Sequence, residues 1–156
     1  MKATEKAYLA GFLDGDGSIH VRLKPNSTYK FGFQVAPSVV FYQADKEIEE
    51  IRSIRDLLGI GYIRRRKDGI AEYIIGDSES ILYFLSIVTP YLRLKRKQAE
   101  ILKEIIALKK KVKSASDFLC MCEKIDEFAE LNYSKKRIQN SEKVKEHLYN
   151  RGLLTP

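Results

Sequence analysis

The sequence predicts an α+β fold in which helices gather on one face of an antiparallel sheet. Three observations carry that expectation. Two stretches, residues 18–42 and 62–75, alternate apolar and polar side chains with the period of strands. Each is followed by a segment whose apolar residues recur at helical spacing, and one further helix precedes them while several more close the chain. The order is therefore helix-ββ-helix-ββ-helices. Its 156 residues, 44% of them apolar, suffice for one well-packed domain and are short for two. A single domain spanning residues 1–156 is expected, with C-terminal helices from about residue 115.

Thr4 can cap a first helix reaching about Asp16, and Ala7, Leu9, Ala10, Leu13, Gly11 and Gly15 give it an unusually small, apolar surface. Glycine inside a helix costs about 1 kcal/mol relative to alanine. Two of them, four apart, imply a gain that a methyl group would obstruct, and close approach of a second helix is the simplest one. Asp14 and Asp16 sit just before the break at Gly17. Where two such helices cross, their ends bring carboxylates together at the negative pole of both helix dipoles, a cluster that attracts a divalent cation.

From Ser18 to Lys24 alternation is strict: Ile19, Val21 and Leu23 share one face, His20, Arg22 and Lys24 the other. Pro25-Asn26-Ser27-Thr28 supplies a turn, and a second strand spans roughly Lys30 to Tyr42 with Phe31, Phe33, Val35, Val39 and Phe41 on one parity. Pro37 within it predicts a bulge or an irregular middle. Asp45 can cap a helix to about Leu58, with Ile48, Ile51, Ile54, Leu57 and Leu58 as its stripe. A hairpin follows, Tyr62 to Lys67 and Ile70 to Ile75 around the Asp68-Gly69 turn. Arg64 and Arg66 share one parity there and Arg65 and Lys67 the other, so either face can be basic. Helices are then expected over about 78–91, 94–112, 116–131 with Ser116 as cap, and 142–150.

Lysine and arginine number 28 against 21 aspartate and glutamate, a net charge of +7 that suits a polyanionic partner, nucleic acid first and an acidic membrane surface second. No apolar run reaches 18 residues and the first residues lack a signal-peptide core, so a soluble, intracellular protein is expected. Cys120 and Cys122, two apart in a helical pattern, point to different faces, which argues against zinc or a disulfide between them. A sheet covered by helices on one side presents its other face to water or a ligand. Here that face would carry His20, Arg22, Lys24, Asn26, Tyr29, Lys30, Gln34, Ser38, Arg64, Arg66 and Glu72. Arginine reads guanine and glutamine reads adenine in a major groove wide enough for a β-ribbon. A strand of eight to ten residues tracks on the order of 27 to 33 Å, nearly one turn of B-DNA.

The string Leu9-Ala10-Gly11-Phe12-Leu13-Asp14-Gly15-Asp16-Gly17 resembles the LAGLIDADG motif of homing endonucleases, departing at Phe12, Leu13 and Gly15. Lys24-Pro25-Asn26, Gly59-Ile60-Gly61-Tyr62 and Pro90 to Gln98 are similar to landmarks of the single-motif, homodimeric group, so the resemblance runs from Tyr8 to about Leu131. It implies a saddle-like sheet that reads double-stranded DNA, with Lys135 added to the contacting set. It also implies a dimer through Leu9, Gly11, Phe12 and Gly15, because one motif supplies one carboxylate and cutting both strands needs two. The metal, Mg²⁺ with Mn²⁺ as substitute, would be held by Asp16 and the Gly15 carbonyl, while Gln43 and Lys95 match the positions that order solvent and stabilise charge at the phosphate. Asp14 is assigned to the helix end or to hydrogen bonding. Some relatives place a basic residue where Glu47 stands, which leaves its role open. No organic cofactor is implied, and an organelle or prokaryotic setting is expected. The alternatives are a non-catalytic nucleic-acid binder, including an RNA-splicing maturase, and a structural dimer whose basic sheet holds acidic protein.

Overall fold

The computed structural model describes residues 1–132 and 137–155. Along them run α1 (Ala3–Asp16), β1 (Gly17–Pro25), β2 (Phe33–Ala44), α2 (Ile48–Leu58), β3 (Tyr62–Arg65), β4 (Ile70–Ile75), α3 (Ser78–Val88), α4 (Arg96–Lys111), α5 (Ala115–Glu130) and α6 (Ser141–Asn150). The strands form one sheet in the order β1-β2-β4-β3, so the α+β class and the helix-ββ-helix-ββ-helices order are as expected. The chain divides into two compact units, Met1–His20 with Pro37–Glu100, and Val21–Ala36 with Ile101–Pro156.

The first unit is built around Phe41. Its ring meets those of Phe12 at 5.1 Å, Phe84 at 5.6 Å and Tyr73 at 5.8 Å. Helix α1 turns Leu9, Ala10 and Leu13 into this core and packs on α3 and on the 3-10 turn Thr89–Tyr91. Helix α2 lays Ile48, Ile51, Ile54 and Leu58 over β4 and β3. Each such side chain withdrawn from water contributes about 1.5 to 3 kcal/mol. Strand β2 pairs antiparallel with β4 from Val39 opposite Ile75 to Ala44 opposite Ile70, and β3 pairs with β4 from Tyr62 opposite Ile74 to Arg65 opposite Ala71. Pro37 does not interrupt β2, contrary to expectation: the strand runs from Phe33 to Ala44, and its register with β4 begins only at Val39, beyond the proline.

In the second unit Phe31 stacks on Phe118 at 5.1 Å, and Phe33 meets the edge of His147 at 5.1 Å. Helices α5 and α6 pack together, burying Phe128, Val144 and Leu148. Cys120 is exposed and Cys122 buried, on different faces as expected, and burial pushes the Cys122 thiol up to about 12. Strand β2 starts at Phe33 and not at Lys30, since residues 26–32 form a turn. Asn26 N–H donates to Gly32 O (2.8 Å) and Gly32 N–H to Tyr29 O (2.9 Å), with Gly32 at φ +78°. A β-carbon there would stand 2.3 Å from His147 Nε2, so only glycine closes this turn.

Other boundaries shift for local reasons. Thr4 lies inside α1, whose cap is Lys2, its N–H donating to the Glu5 carboxylate (2.6 Å). Asp45 begins a 3-10 turn and pairs with Arg65 (2.8 Å) where a cap was expected. Leu57 falls off the α2 stripe and is 46% exposed. Helix α3 stops at Val88 because Pro90 has no N–H to continue it. Ser114, not Ser116, caps α5: its hydroxyl accepts the Asp117 N–H (3.1 Å) while the Asp117 carboxylate accepts the Ser114 N–H (2.9 Å).

Candidate active site

Helix α1 carries two aspartates to its C-terminus and the fold gives them opposite surroundings. Asp14 is saturated. Its Oδ2 accepts the N–H groups of Arg93 (2.8 Å) and Leu94 (3.2 Å), its Oδ1 accepts that of Lys95 (2.9 Å), and its main-chain oxygen accepts Lys95 Nζ (2.6 Å). The expectation that Asp14 serves in hydrogen bonding thus takes a definite form. Asp16, half a turn further, is exposed. Burial pushes the half-buried Lys95 ammonium below the usual lysine range, against which the carboxylates of Asp14 and Asp16 pull it back up. An acid at the negative pole of a helix is disfavoured, and a lysine held there offsets part of that cost.

Asp16 opens onto a cleft of about 510 Å³ lined by Tyr8, Gly11, Phe12, Gln43, Glu47 and Glu50. Asp16 and Gln43, expected to share a centre, are brought together there; Lys95 joins them through the end of α1. The Gln43 side-chain oxygen accepts the Ala44 N–H (3.1 Å), which leaves its amide donors to offer to the cleft. Three acids and no base line this space, and their oxygens are hard ligands of the kind Mg²⁺ and Ca²⁺ take. A phosphate entering it is repelled unless a cation intervenes. Among the described residues no three His, Cys, Asp or Glu side chains converge as a complete metal cage. Tyr8 and Glu50 were not among the expected site residues. Their signal was helical spacing: Tyr8 lies three before Gly11, and Glu50 three after Glu47.

The open side of α1 differs from its buried side. A β-carbon added at Gly11 or Gly15 would meet no atom of the described residues within 4 Å, and Tyr8 on the same side is 59% exposed. Leu9, expected on a dimer surface, is fully buried in its own protomer, since helical rotation groups it with Ala10 and Leu13. Phe12 is half-buried against Phe41.

The expected reading face separates into distinct environments. In the first unit His20 Nε2 lies 3.2 Å from the Tyr42 hydroxyl, and Ser38 is half-buried. Glu72, 4% exposed, pairs with Arg64 at 2.6 Å and Arg66 at 3.6 Å, and Arg66 also meets Asp68. Glu72 is thus an organiser of arginines and not a free surface acid. Of the two parities left open for the hairpin, Arg64 shares its face with Glu72 while Arg65 turns to Asp45. In the second unit Arg22, Lys24 and Tyr29 are exposed and Gln34 is half-buried. Asn26 accepts from Thr28 N–H (3.0 Å) to shape its turn. Lys30, expected on the strand, lies in the turn and donates to Lys113 O (3.2 Å). Lys135 lies outside the described residues.

No helix of the described residues is long and apolar enough to cross a membrane. Comparison with known proteins gives a consistent result. The chain is 38% identical to the DNA endonuclease I-CreI of Chlamydomonas reinhardtii over 88% of its length and 85% of that protein. It is 32% identical to the DNA endonuclease I-CvuI of Chlorella vulgaris over 94% of its length and 91% of that protein. The crystal structure of I-CvuI in complex with its target and 2 mM Ca superposes with a TM-score of 0.93 at 31% identity, covering 98% of each chain. Residues 9–108 match the LAGLIDADG endonuclease family, and the chain belongs to it.

Proposed function

We propose that this protein is a site-specific homing DNA endonuclease, a homodimer that hydrolyses both strands of a long, roughly palindromic duplex site with the help of a divalent metal. The observation that carries this reading is the end of α1: an exposed Asp16 beside a fixed Lys95, on a helix whose glycine face is open. A second copy crossing at Gly11 and Gly15 brings two Asp16 carboxylates together, supplying what one protomer lacks. Both named relatives are DNA endonucleases, which supports a DNA substrate.

Asp16 and the Gly15 carbonyl are the groups that would hold Mg²⁺, with Mn²⁺ as a substitute. When bound, the metal supplies an acidified water and Lewis-acid stabilisation at the phosphate. Lys95 directs its ammonium at the charge that grows on the phosphoryl oxygens. Gln43 orients solvent with its amide donors. Neither histidine serves as base: His20 is engaged with Tyr42, and His147 belongs to α6. Glu47 and Glu50 make the cleft acidic, so Glu47 does not replace a basic phosphate contact; it strengthens the demand for cations. Arg22, Lys24, Gln34 and the Arg64–Glu72–Arg66 group read the duplex, with His20, Asn26, Tyr29, Lys30, Ser38 and Lys135 as further contacts. Incubation of the protein with randomised duplex DNA and Mg²⁺, followed by sequencing of cut ends, tests the reading. Recovery of one long, near-symmetric site is expected; specific binding without cutting turns the assignment to a non-catalytic binder or maturase.

A further inference from the structure

We propose that Asp14, the first acid of the motif, is a positioning residue that fixes the Lys95 ammonium beside Asp16. The inference rests on the endonuclease reading above. Residues 93–95 belong to no helix or strand; they link the turn Thr89–Tyr91 to α4. Apolar burial does not hold Leu94 in place, since it is 75% exposed. Among the described residues, Asp14 is the residue of α1 that holds this segment by hydrogen bonds. The Asp14 carboxylate accepts three consecutive N–H groups at 2.8, 3.2 and 2.9 Å, and the Asp14 carbonyl accepts Lys95 Nζ at 2.6 Å.

These bonds close a ring. The backbone of Lys95 is held by the Asp14 side chain, and the side chain of Lys95 by the Asp14 backbone. An ordinary helix cap needs only the first half, and Lys95 already opens α4 with its carbonyl accepting the Ala99 N–H at 2.9 Å. Lysine is a flexible point charge, and anchoring both ends leaves its ammonium one place to stand. Asparagine cannot accept all three N–H groups. It replaces one acceptor by a donor, which then faces a backbone N–H. Asp14 touches neither substrate nor metal in this scheme and acts through Lys95 alone.

A double-mutant cycle on the full-length protein tests this. Asp14→Asn is expected to lower the single-turnover cleavage rate on the order of 10- to 100-fold, as misplacement of a catalytic group does. The half-saturating protein concentration and Ca²⁺-supported target binding stay within about two-fold. In a Lys95→Ala background the same change costs nothing further, because the group it positions is gone. Amide exchange at residues 93–95 rises in Asp14→Asn. Asp14→Glu keeps both acceptors on a longer stem and loses only a few-fold; should Asp14→Asn fail to fold, the cycle is run with it. Losses that multiply in the double variant, or a change in binding with the cleavage rate intact, overturn the positioning role. A wild-type protein that cuts no duplex overturns the endonuclease reading itself, which is a separate failure.

Discussion

At the end of α1 and in the β3–β4 hairpin one acid organises basic groups, yet the charge left over is opposite in the two places. Asp14 spends itself on three backbone N–H groups and one ammonium, which leaves Asp16 exposed as a carboxylate to be used. Glu72 is almost wholly buried beneath two guanidiniums, which leaves the hairpin with surplus positive charge. The costs differ accordingly. A buried carboxylate must be paired to offset its desolvation. Asp16 keeps its water and bears only the unfavourable end of a helix dipole. The same device, an acid fixed among donors, thus leaves an exposed carboxylate in one region and surplus positive charge in the other.

Removing the leftover charge of the first region should have the largest effect. Asp16→Asn is expected to abolish Mg²⁺-dependent cleavage while specific DNA binding, measured by gel shift, stays largely intact; full cutting by this variant would sink the proposed metal site. Gly15→Leu sharpens the comparison at the same helix. The added β-carbon would meet no atom of the described residues within 4 Å, so the fold should survive and pairing with a second copy suffer. Sedimentation should find folded monomers without activity, and a fully active dimer carrying leucine there refutes the interface.

In the hairpin, Glu72→Gln releases Arg64 and Arg66 from their anchor. Discrimination at one position of each half-site is expected to fall by about 1 to 3 kcal/mol in a cleavage profile across single-base variants, with catalysis at preferred sites retained. An unchanged profile would show that the anchored arginines are not readers. The smallest effect belongs to Asp77, an acid that serves only its own helix. Its carboxylate accepts the Ser80 N–H (2.8 Å) at the start of α3, which holds it below the usual carboxylate range. Asp77→Ala should cost about 1 kcal/mol near neutral pH. Because the folded-state pKa is depressed, the gap in melting temperature is full above about pH 3.9, the usual value for an unfolded aspartate, and closes as pH falls through the lower folded value. A gap that is constant down to strong acid contradicts this origin.

Element order and the α1 break were legible because they rest on periodicity and on a nine-residue string, whereas Gln43, which lines the same cleft as Asp16, was reached only through the family resemblance. What escaped depends on contacts distant in sequence. Lys30 keeps the parity of a strand residue, yet it is drawn into a turn by Gly32 and toward Lys113, far along the chain. The Ser114 cap is the exception, because its signal is local: Asp117 stands three residues after Ser114, the spacing of a capping box, whereas Leu119 stands three after Ser116. Leu9 and Gly11 both belong to the motif but lie on opposite sides of α1, which spacing alone discloses once the buried side is known. Glu72 reads as a surface acid in an alternating strand; its burial follows from two arginines brought over it by the β3–β4 register.

The open glycine side of α1 bears on dosage. Under the proposed homodimer each protomer brings a single Asp16, so at concentrations below the dimer's dissociation constant the amount of competent enzyme grows with the square of total protein. Halving the supply then removes about three quarters of the active species by the same mass action. Target DNA with two matched half-sites counters this by gathering both protomers, whereas a stray half-site holds only one. Scarce protein would therefore be nearly silent on the rest of a genome while still able to assemble where both halves are present.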